Sequence, residues 1–385
     1  MIETNRIHRP VEAFRRDMLD LDAQGQAYAE LCVTTNFTFL TGASHPEELV
    51  MRAVELGLSA IAITDHNSLA GVVRAWTALK ELKRGAEGAV QIRSQRQTDS
   101  SSRQEVGQGD PIAKPAVFSL PKLIVGCRLV LQDSPVNWLA LPCDLAAYKR
   151  LTRLLTLGKR RVEKGQCHLY RKDMMAACKG MILIALPQTG LAESAPDIQA
   201  IRRHFSNHVF LGAVPRYDGT DQSYLADCAL LAHKTSAPMV AVGDVLMHRA
   251  NRRQLADVLT CMREHITIDQ IGTRALPNAE RRLKSGADLA RLFRNHPAAL
   301  GRTVEIANRC SFDLGELSYE YPHEDAGTET PQARLERLAH EGLGRRYPDG
   351  PPDRAIQLMN KELAVVSALK FPAYFLTVHD IVQFA

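Results

Sequence analysis

Residues 28–76 read YAELCVTTNFTFLTGASHPEELVMRAVELGLSAIAITDHNSLAGVVRAW. This stretch contains two short apolar runs, LCVTTNF (31–37) and SAIAITD (59–65), with a helical pattern between them. A strand, an amphipathic helix and a second strand form the βα unit from which parallel sheets are built. The stretch therefore predicts an α/β fold.

The helix between the two strands carries its own start and stop signals. Ser44 and Glu47 have the spacing of a capping box, and Gly57 is typical of a helix end. Leu49 and Leu56 lie on the predicted apolar face, so this face is expected to pack on the sheet.

The same alternation of strand and helix continues along the chain. The later runs are rich in Val and Ile and almost free of charge, which is typical of parallel strands covered on both faces. They are KLIVGCRLVL (122–131), GMILIAL (180–186), VFLGAV (209–214) and PMVAVGD (238–244). The pattern predicts repeated βα units in either a barrel or an open sheet, and we favour a barrel.

Two regions interrupt this pattern and define the predicted domains. Residues 85–119 are dense in Gln, Ser, Arg and Gly, which predicts a disordered insertion. Strand signals stop near 275, so we place the boundary between 270 and 285. The predicted domains are an extension (1–27), a barrel (28–275) and a helical segment (276–385), with helices near 286–293, 298–309, 330–345 and 354–369.

Composition excludes several classes of protein. Of the 385 residues, 45% are hydrophobic and 24% are charged, which are ordinary values for a globular protein. The charged beginning of the chain argues against a signal peptide, and no apolar run is long enough to span a membrane. The eight cysteines form no CxxC pair, which indicates reduced thiols in the cytoplasm. A net charge of +5 permits contact with nucleic acid without arguing for it.

Acidic and imidazole side chains follow two of the predicted strands. Asp65 and His66 come after one strand, and Asp244 and His248 come after another. Sites in α/β folds are built at the carboxyl ends of strands, and carboxylates with imidazoles bind divalent metals. Asp65, His66 and Asp244 are therefore the candidate metal ligands, although an Asp at this position is also a common helix N-cap. The basic run KRRVEKG (159–165) is either a phosphate contact or a solvated surface.

Several separated blocks resemble the bacterial error-prone DNA polymerases, relatives of the DNA polymerase III alpha subunit. After residues 28–76, the resemblance resumes at LIVGCRLVLQD (123–133), AAYKRLTRLLTLGKRRVEKGQCHL (146–169) and GDVLMHRANRRQLADVLTCMREHITID (243–269). It covers nearly everything from Tyr28 to the end, apart from 85–119. The resemblance implies an N-terminal polymerase-and-histidinol-phosphatase (PHP) domain, which is a distorted (β/α) barrel, followed by a smaller, mainly helical segment.

The resemblance also implies a degenerate metal site. Metal-binding PHP domains carry a His-x-His pair on the first strand, where this chain has Cys32 and Thr34. Their Gly-Cys-Glu motif ends here in Arg128, and the His of their Asp-x-His motif is replaced by Leu246. The positions that keep a ligand are Asp65, His66 and Asp244, with the first two in the surviving Thr-Asp-His motif.

We expect this site to be structural rather than hydrolytic, because multinuclear metal sites need several converging carboxylates and imidazoles. Arg128 is expected where a metal charge would otherwise sit, with an Asp65–Arg128 ion pair holding the barrel mouth together.

By resemblance, the chain is the N-terminal part of a polymerase for damage-induced mutagenesis and translesion synthesis, not the main replicative enzyme. The full-length polymerase is expected to use Mg²⁺, DNA and accessory replication or mutagenesis proteins. The chain ends at Ala385, before the palm aspartates, so we expect no catalytic residue and no polymerase activity in these residues alone. The alternatives are a metal-dependent phosphoesterase or 3′–5′ exonuclease, and a non-catalytic protein- or DNA-interaction module. DNA binding by this chain is expected to be weak and non-specific.

Overall fold

The computed structural model describes residues 26–85, 120–188, 190–317 and 329–385. The predicted extension before Tyr28 and the predicted disordered insertion at 85–119 lie almost wholly outside these ranges. The chain divides into two compact units, of which the first ends at Glu316 and the second begins at Leu317.

The described part of the first unit contains eight strands in two sheets. The strands are β1 (Ala29–Val33), β2 (Ala60–Ile63), β3 (Lys122–Val125), β4 (Cys127–Leu129), β5 (Val136–Pro142), β6 (Met181–Pro187), β7 (Val209–Ala213) and β8 (Met239–Ala241). Strands β1, β2 and β3 form a parallel sheet, whereas β5 runs antiparallel to both of its neighbours in the sheet β4-β5-β6-β7-β8. The remaining pairs, β6 with β7 and β7 with β8, are parallel.

Backbone hydrogen bonds at the carboxyl ends join the two sheets. Thr34 N donates to Val245 O at 2.9 Å, which links the end of β1 to the segment after β8. Arg128 N donates to Asp65 O at 3.1 Å, which links β4 to the segment after β2. The two seams close the strands into a distorted barrel, so the predicted barrel is confirmed.

The strand pattern differs from prediction at two places. The run 122–131 forms two strands that divide at Gly126, where a side chain would meet Leu141 Cδ2 at 2.6 Å and Thr64 Cγ2 at 2.8 Å. Glycine therefore lets the chain pass from the first sheet to the second. Strand β5 was not predicted, because its apolar run is interrupted by Asn137 and lacks the βα context of the others.

Helices alternate with the strands and cover the barrel. In the first unit they are α1 (Pro46–Glu55), α2 (72–85), α3 (Leu145–Arg160), α4 (Arg171–Ala177), α5 (Leu191–Phe205), α6 (Asp221–Thr235), α7 (Arg253–Glu264), α8 (Gly286–Leu292) and α9 (Pro297–Arg309). The second unit contains α10 (Pro331–Arg346), α11 (Asp353–Ala368) and α12 (Pro372–Phe384). The helices predicted between the strands and those predicted after residue 275 are therefore present.

The cap of α1 lies one residue later than predicted. His45 is the N-cap, with an extended backbone, and its N–H donates to Glu48 Oε2 at 2.9 Å. Pro46 explains the difference, because proline favours the first helical position and holds the preceding residue extended. The predicted pair of Ser44 and Glu47 therefore does not cap the helix.

Apolar side chains form two layers, one on each face of the strands. The inner layer fills the barrel with alternate residues of the strands, and the outer layer packs against the surrounding helices. Inner residues include Leu31, Ala62, Ile124, Leu139 and Ile184.

Helix α9 closes the amino end of the barrel. Its Ile306 and Ala307 belong to the inner layer, and Thr303 Oγ1 accepts from Ala29 N at 3.2 Å. Lys122 Nζ donates to Ala307 O at 2.9 Å, at the start of β3. The barrel unit therefore extends to Glu316, beyond the boundary predicted at 270–285. The sequence could not show this, because a helical pattern alone does not reveal whether a helix packs on a sheet.

No single helix in the described ranges is long and apolar enough to cross a membrane. The pair α11 and α12, bent by 118° at the break between them, meets the criteria of length and composition only when taken together.

We predict that Leu49→Ala lowers the free energy of unfolding by about 2–5 kcal/mol, because it leaves a cavity beneath α1. Leu49 is 0% exposed within the outer apolar layer. Urea denaturation measures the change. Leu157→Ala on α3 is the control, since Leu157 is 44% exposed. Equal losses in the two variants would show that α1 does not pack as described.

Candidate functional site at the barrel mouth

The candidate site lies at the carboxyl end of the barrel. Cys32 is on β1, Asp65 and His66 follow β2, Arg128 is on β4, and Asp244 follows β8. The register between β1 and β2 shifts between Glu30 and Val33, and both Leu31 and Cys32 belong to the inner layer. An irregularity in the first strand thus accompanies the inward position of Cys32.

Arg128 occupies the centre of this group. Its Nη2 donates to Cys32 Sγ at 2.8 Å, and its Nη1 donates to His66 Nε2 at 3.3 Å. Nη2 also forms an ion pair with Asp244 Oδ1. The Arg128 side chain is 6% exposed, so this cation is held almost entirely by the protein. One guanidinium therefore contacts side chains from three different parts of the barrel mouth.

Asp244 is paired with a second arginine. Arg281 forms an ion pair with Asp244 Oδ2, and its Nε donates to Asp244 O at 3.0 Å. Burial alone would raise the pKa of Asp244, but Arg128 and Arg281 together hold this pKa well below its usual range. Both carboxylate oxygens of Asp244 are therefore engaged by cations.

Asp65 lies in a separate hydrogen-bonding pocket. It accepts from Thr35 N at 2.9 Å, Thr35 Oγ1 at 2.9 Å and Thr38 Oγ1 at 2.7 Å. A side chain at position 71 would meet Asp65 Oδ2 at 2.5 Å, so Gly71 leaves room for the carboxylate. The predicted Asp65–Arg128 ion pair is wrong: only the Asp65 carbonyl receives a hydrogen bond from Arg128, and the carboxylate binds the loop after β1.

His66 and Cys32 are held in uncharged forms. Burial and the charge of Arg128 lower the pKa of His66 to about 4, so its ring is neutral near pH 7. Because arginine can only donate, His66 Nε2 uses its lone pair to accept the hydrogen bond. Burial raises the pKa of Cys32 to about 12, despite the nearby Arg128, so its sulfur remains a thiol.

The remaining candidate positions lie outside this network or bring no ligand to it. Thr34 Oγ1 is buried without a hydrogen-bond partner in the described ranges. His248 Nδ1 is 2.8 Å from Ser44 Oγ, and the same oxygen accepts from His248 N at 2.9 Å. His248 thus anchors the start of α1. In the described part of the chain, no three His, Cys, Asp or Glu side chains are placed together to hold a metal ion.

The arginine at position 281 was not recognised as part of the site. The motif positions in the sequence gave no role to ERRLK (280–284). In the structure, Arg281 binds Asp244, and Lys284 is 4% exposed beside Glu280. No periodic signal marks these residues. Arg281 lies 37 residues after Asp244, so spacing along the chain gave no clue to the pair.

Two protein families match parts of the chain. The PHP domain matches residues 30–208, and the bacterial DNA polymerase III alpha NTPase domain matches residues 333–385. The first match spans most of the barrel strands and the positions of Cys32, Asp65, His66 and Arg128. The second lies wholly within the second unit.

Curated relatives extend the similarity along most of the chain. An error-prone DNA polymerase from Ruegeria pomeroyi is 72% identical over 93% of this chain, and one from Rhodopseudomonas palustris is 42% identical over 93%. The chain spans 32% and 30% of the length of these relatives.

Among solved structures, an amidohydrolase from Chromobacterium violaceum is 12% identical, with a TM-score of 0.36 over 56% of this chain and 85% of that chain. Those values are too low to support an inference. The sequence relatives and the two domain matches agree with one another. Over nearly its whole length, the chain is therefore similar in sequence to the bacterial error-prone DNA polymerases.

Proposed function

We propose that this chain serves as the barrel-bearing part of an error-prone DNA polymerase. The proposal extends the activity named for the relatives to a chain that spans about a third of their length. The whole polymerase would copy DNA templates during damage-induced mutagenesis and translesion synthesis in the cytoplasm. It would use Mg²⁺ for nucleotidyl transfer and bind DNA together with replication or mutagenesis proteins.

Within that polymerase, the barrel mouth would act as a structural element rather than a hydrolytic centre. The observation that carries this proposal is the position of Arg128, whose guanidinium contacts Cys32, His66 and Asp244. A divalent cation placed among these groups would be repelled by Arg128 in a poorly screened environment. Because the Cys32 thiol and His66 Nε2 are already hydrogen-bonded, the residues present do not fit a metal cluster.

The alternative, a phosphoesterase or 3′–5′ exonuclease, requires a different electrostatic arrangement. Metal-dependent hydrolysis depends on anionic ligands that converge on the ions and on a metal-bound water. Asp244 instead faces two arginines, and Asp65 is occupied by Thr35 and Thr38. The charge distribution at the mouth thus favours the structural role.

We predict that the chain, purified without chelator and then dialysed against zinc or manganese, retains less than one ion per molecule. Inductively coupled plasma mass spectrometry measures the content. Arg128→Glu, which returns the carboxylate of the family motif, is the matched comparison. More than one tightly held zinc or manganese ion per wild-type chain would contradict the structural role.

We predict that Arg128→Ala lowers the free energy of unfolding by about 3 kcal/mol, because it breaks a buried charge pair and leaves Asp244 with one cation. Denaturation in urea at neutral pH provides the measurement. Arg74→Ala is the control, since Arg74 is 49% exposed in its pair with Glu47 and such pairs contribute about 1 kcal/mol or less. Similar losses in both variants would mean that Arg128 does not hold the mouth together.

The charged surface of the barrel limits its contact with DNA. In MHRANRR (247–253), Arg249 pairs with Glu55 and Arg252 pairs with Glu48. In KRRVEKG (159–165), by contrast, Lys159 and Arg160 are exposed at the end of α3. These two side chains are therefore the better candidates for phosphate contact.

We predict non-specific DNA binding with a dissociation constant on the order of 10⁻⁴–10⁻⁶ M that weakens steeply with salt, because phosphate contacts release counterions. Lys159→Ala/Arg160→Ala should weaken binding several-fold. The control Arg249→Ala/Arg252→Ala removes the same charge from paired side chains and should change it less. Fluorescence anisotropy with unrelated duplexes at two salt concentrations is the measurement. Nanomolar, salt-insensitive binding to one sequence would contradict the prediction.

A further inference from the structure

Two cysteines from distant parts of the chain meet at the amino end of the barrel. Cys143 follows β5, and Cys310 follows α9. The backbone holds them together, because Ser311 donates to Cys143 O from its N at 2.9 Å and from its Oγ at 2.8 Å. Their side chains pack in the same cluster, so each thiol shifts the pKa of the other.

The two sulfurs differ in their surroundings. Cys310 is 2% exposed, whereas Cys143 is partly exposed and lies just before the N-cap of α3. The neighbouring Cys310 thiol and the charge of Arg309 lower the pKa of Cys143 to about 7, against the opposing effect of burial. The neighbouring Cys143 and burial raise the pKa of Cys310. Cys143 is therefore the accessible nucleophile, and Cys310 is the protonated partner behind it.

We propose that Cys143 and Cys310 are an oxidation site at which hydrogen peroxide forms a disulfide between the barrel wall and its closing helix. This pairing is distinct from the mouth site, which lies at the opposite end of the barrel.

The reaction takes two steps. The Cys143 thiolate attacks one peroxide oxygen, the O–O bond breaks, and hydroxide leaves with a proton from solvent as water. The resulting sulfenic acid is then attacked by the Cys310 sulfur. The S–O bond breaks, the S–S bond forms, and the Cys310 proton departs with the hydroxyl group as a second water. Two electrons pass from the pair of thiols to one peroxide.

The disulfide would join residues that are far apart in sequence. It would cross-link the end of β5 to the end of α9, the helix that closes the barrel, and so restrict the unfolded chain over a long loop. The oxidised protein should therefore unfold at a higher temperature than the reduced protein, by several degrees, and a thiol reductant should reverse the shift.

The test is peroxide treatment of the full chain, followed by alkylation of free thiols and peptide mapping without reductant. We expect a peptide pair linked through Cys143 and Cys310, two hydrogens lighter than the reduced pair, together with the rise in thermal midpoint. Mapping the wild-type chain needs no substitution, so the result does not depend on the folding of a variant.

Variants identify the order of the steps. Cys310→Ser should leave a sulfenic acid on Cys143 that dimedone traps, and Cys167→Ser, a partly exposed cysteine away from the pair, should leave the cross-link unchanged. Oxidation of Cys143 to higher acids in the wild type without the link would overturn the proposal. Linkage of Cys143 to another cysteine, or failure of either thiol to react, would overturn it as well.

Discussion

The barrel mouth depends on the ion pair between Arg128 and Asp244. This pair connects β4 with the segment after β8, and both side chains are largely withdrawn from water. Removing such charges from water is costly, and the attraction repays the cost only when the remaining hydrogen-bonding groups are also satisfied. Most of these groups are satisfied here, because Cys32 and His66 accept hydrogen bonds from Arg128 and Arg281 pairs with the second oxygen of Asp244. Among the described residues, Arg128 Nε is buried without a hydrogen-bond partner.

A guanidinium holds these strands in a different way from a metal ion. A metal needs deprotonated ligands at short distances, whereas arginine brings a permanent positive charge and a planar set of donors. The neutral thiol of Cys32 and the neutral ring of His66 are suited to accepting from such a donor. Thr34 and Leu246 add no charge to the mouth. The set of side chains is thus internally consistent with one buried cation supplied by the protein itself.

The sequence predicted the barrel well and the site only in part. Alternating apolar runs reveal strands whose burial is local and repetitive, so most strands and helices were found. Strand β5 was missed because Asn137 interrupts its apolar run and because it lacks the βα context of the other strands. The division at Gly126 was missed because it depends on contacts with Leu141 and Thr64, which are distant in sequence. Motif positions identified Asp65, His66, Arg128 and Asp244, but the pairing of Arg128 with Asp244 rather than Asp65 follows from the barrel's closure. That choice could not be read from spacing along the chain.

The two ends of the barrel are closed by different physical means. At the amino end, α9 inserts apolar side chains into the inner layer and accepts hydrogen bonds from the starts of β1 and β3. At the carboxyl end, ion pairs of arginine with aspartate and the hydroxyl groups of threonines join the strands. Apolar side chains in their place would leave the buried carboxylates unpaired. The carboxylates of Asp65 and Asp244 each accept from neighbouring donors. Removing those donors would leave a buried carboxylate unpaired, and the cost of doing so accounts for the close pairing at this end of the barrel.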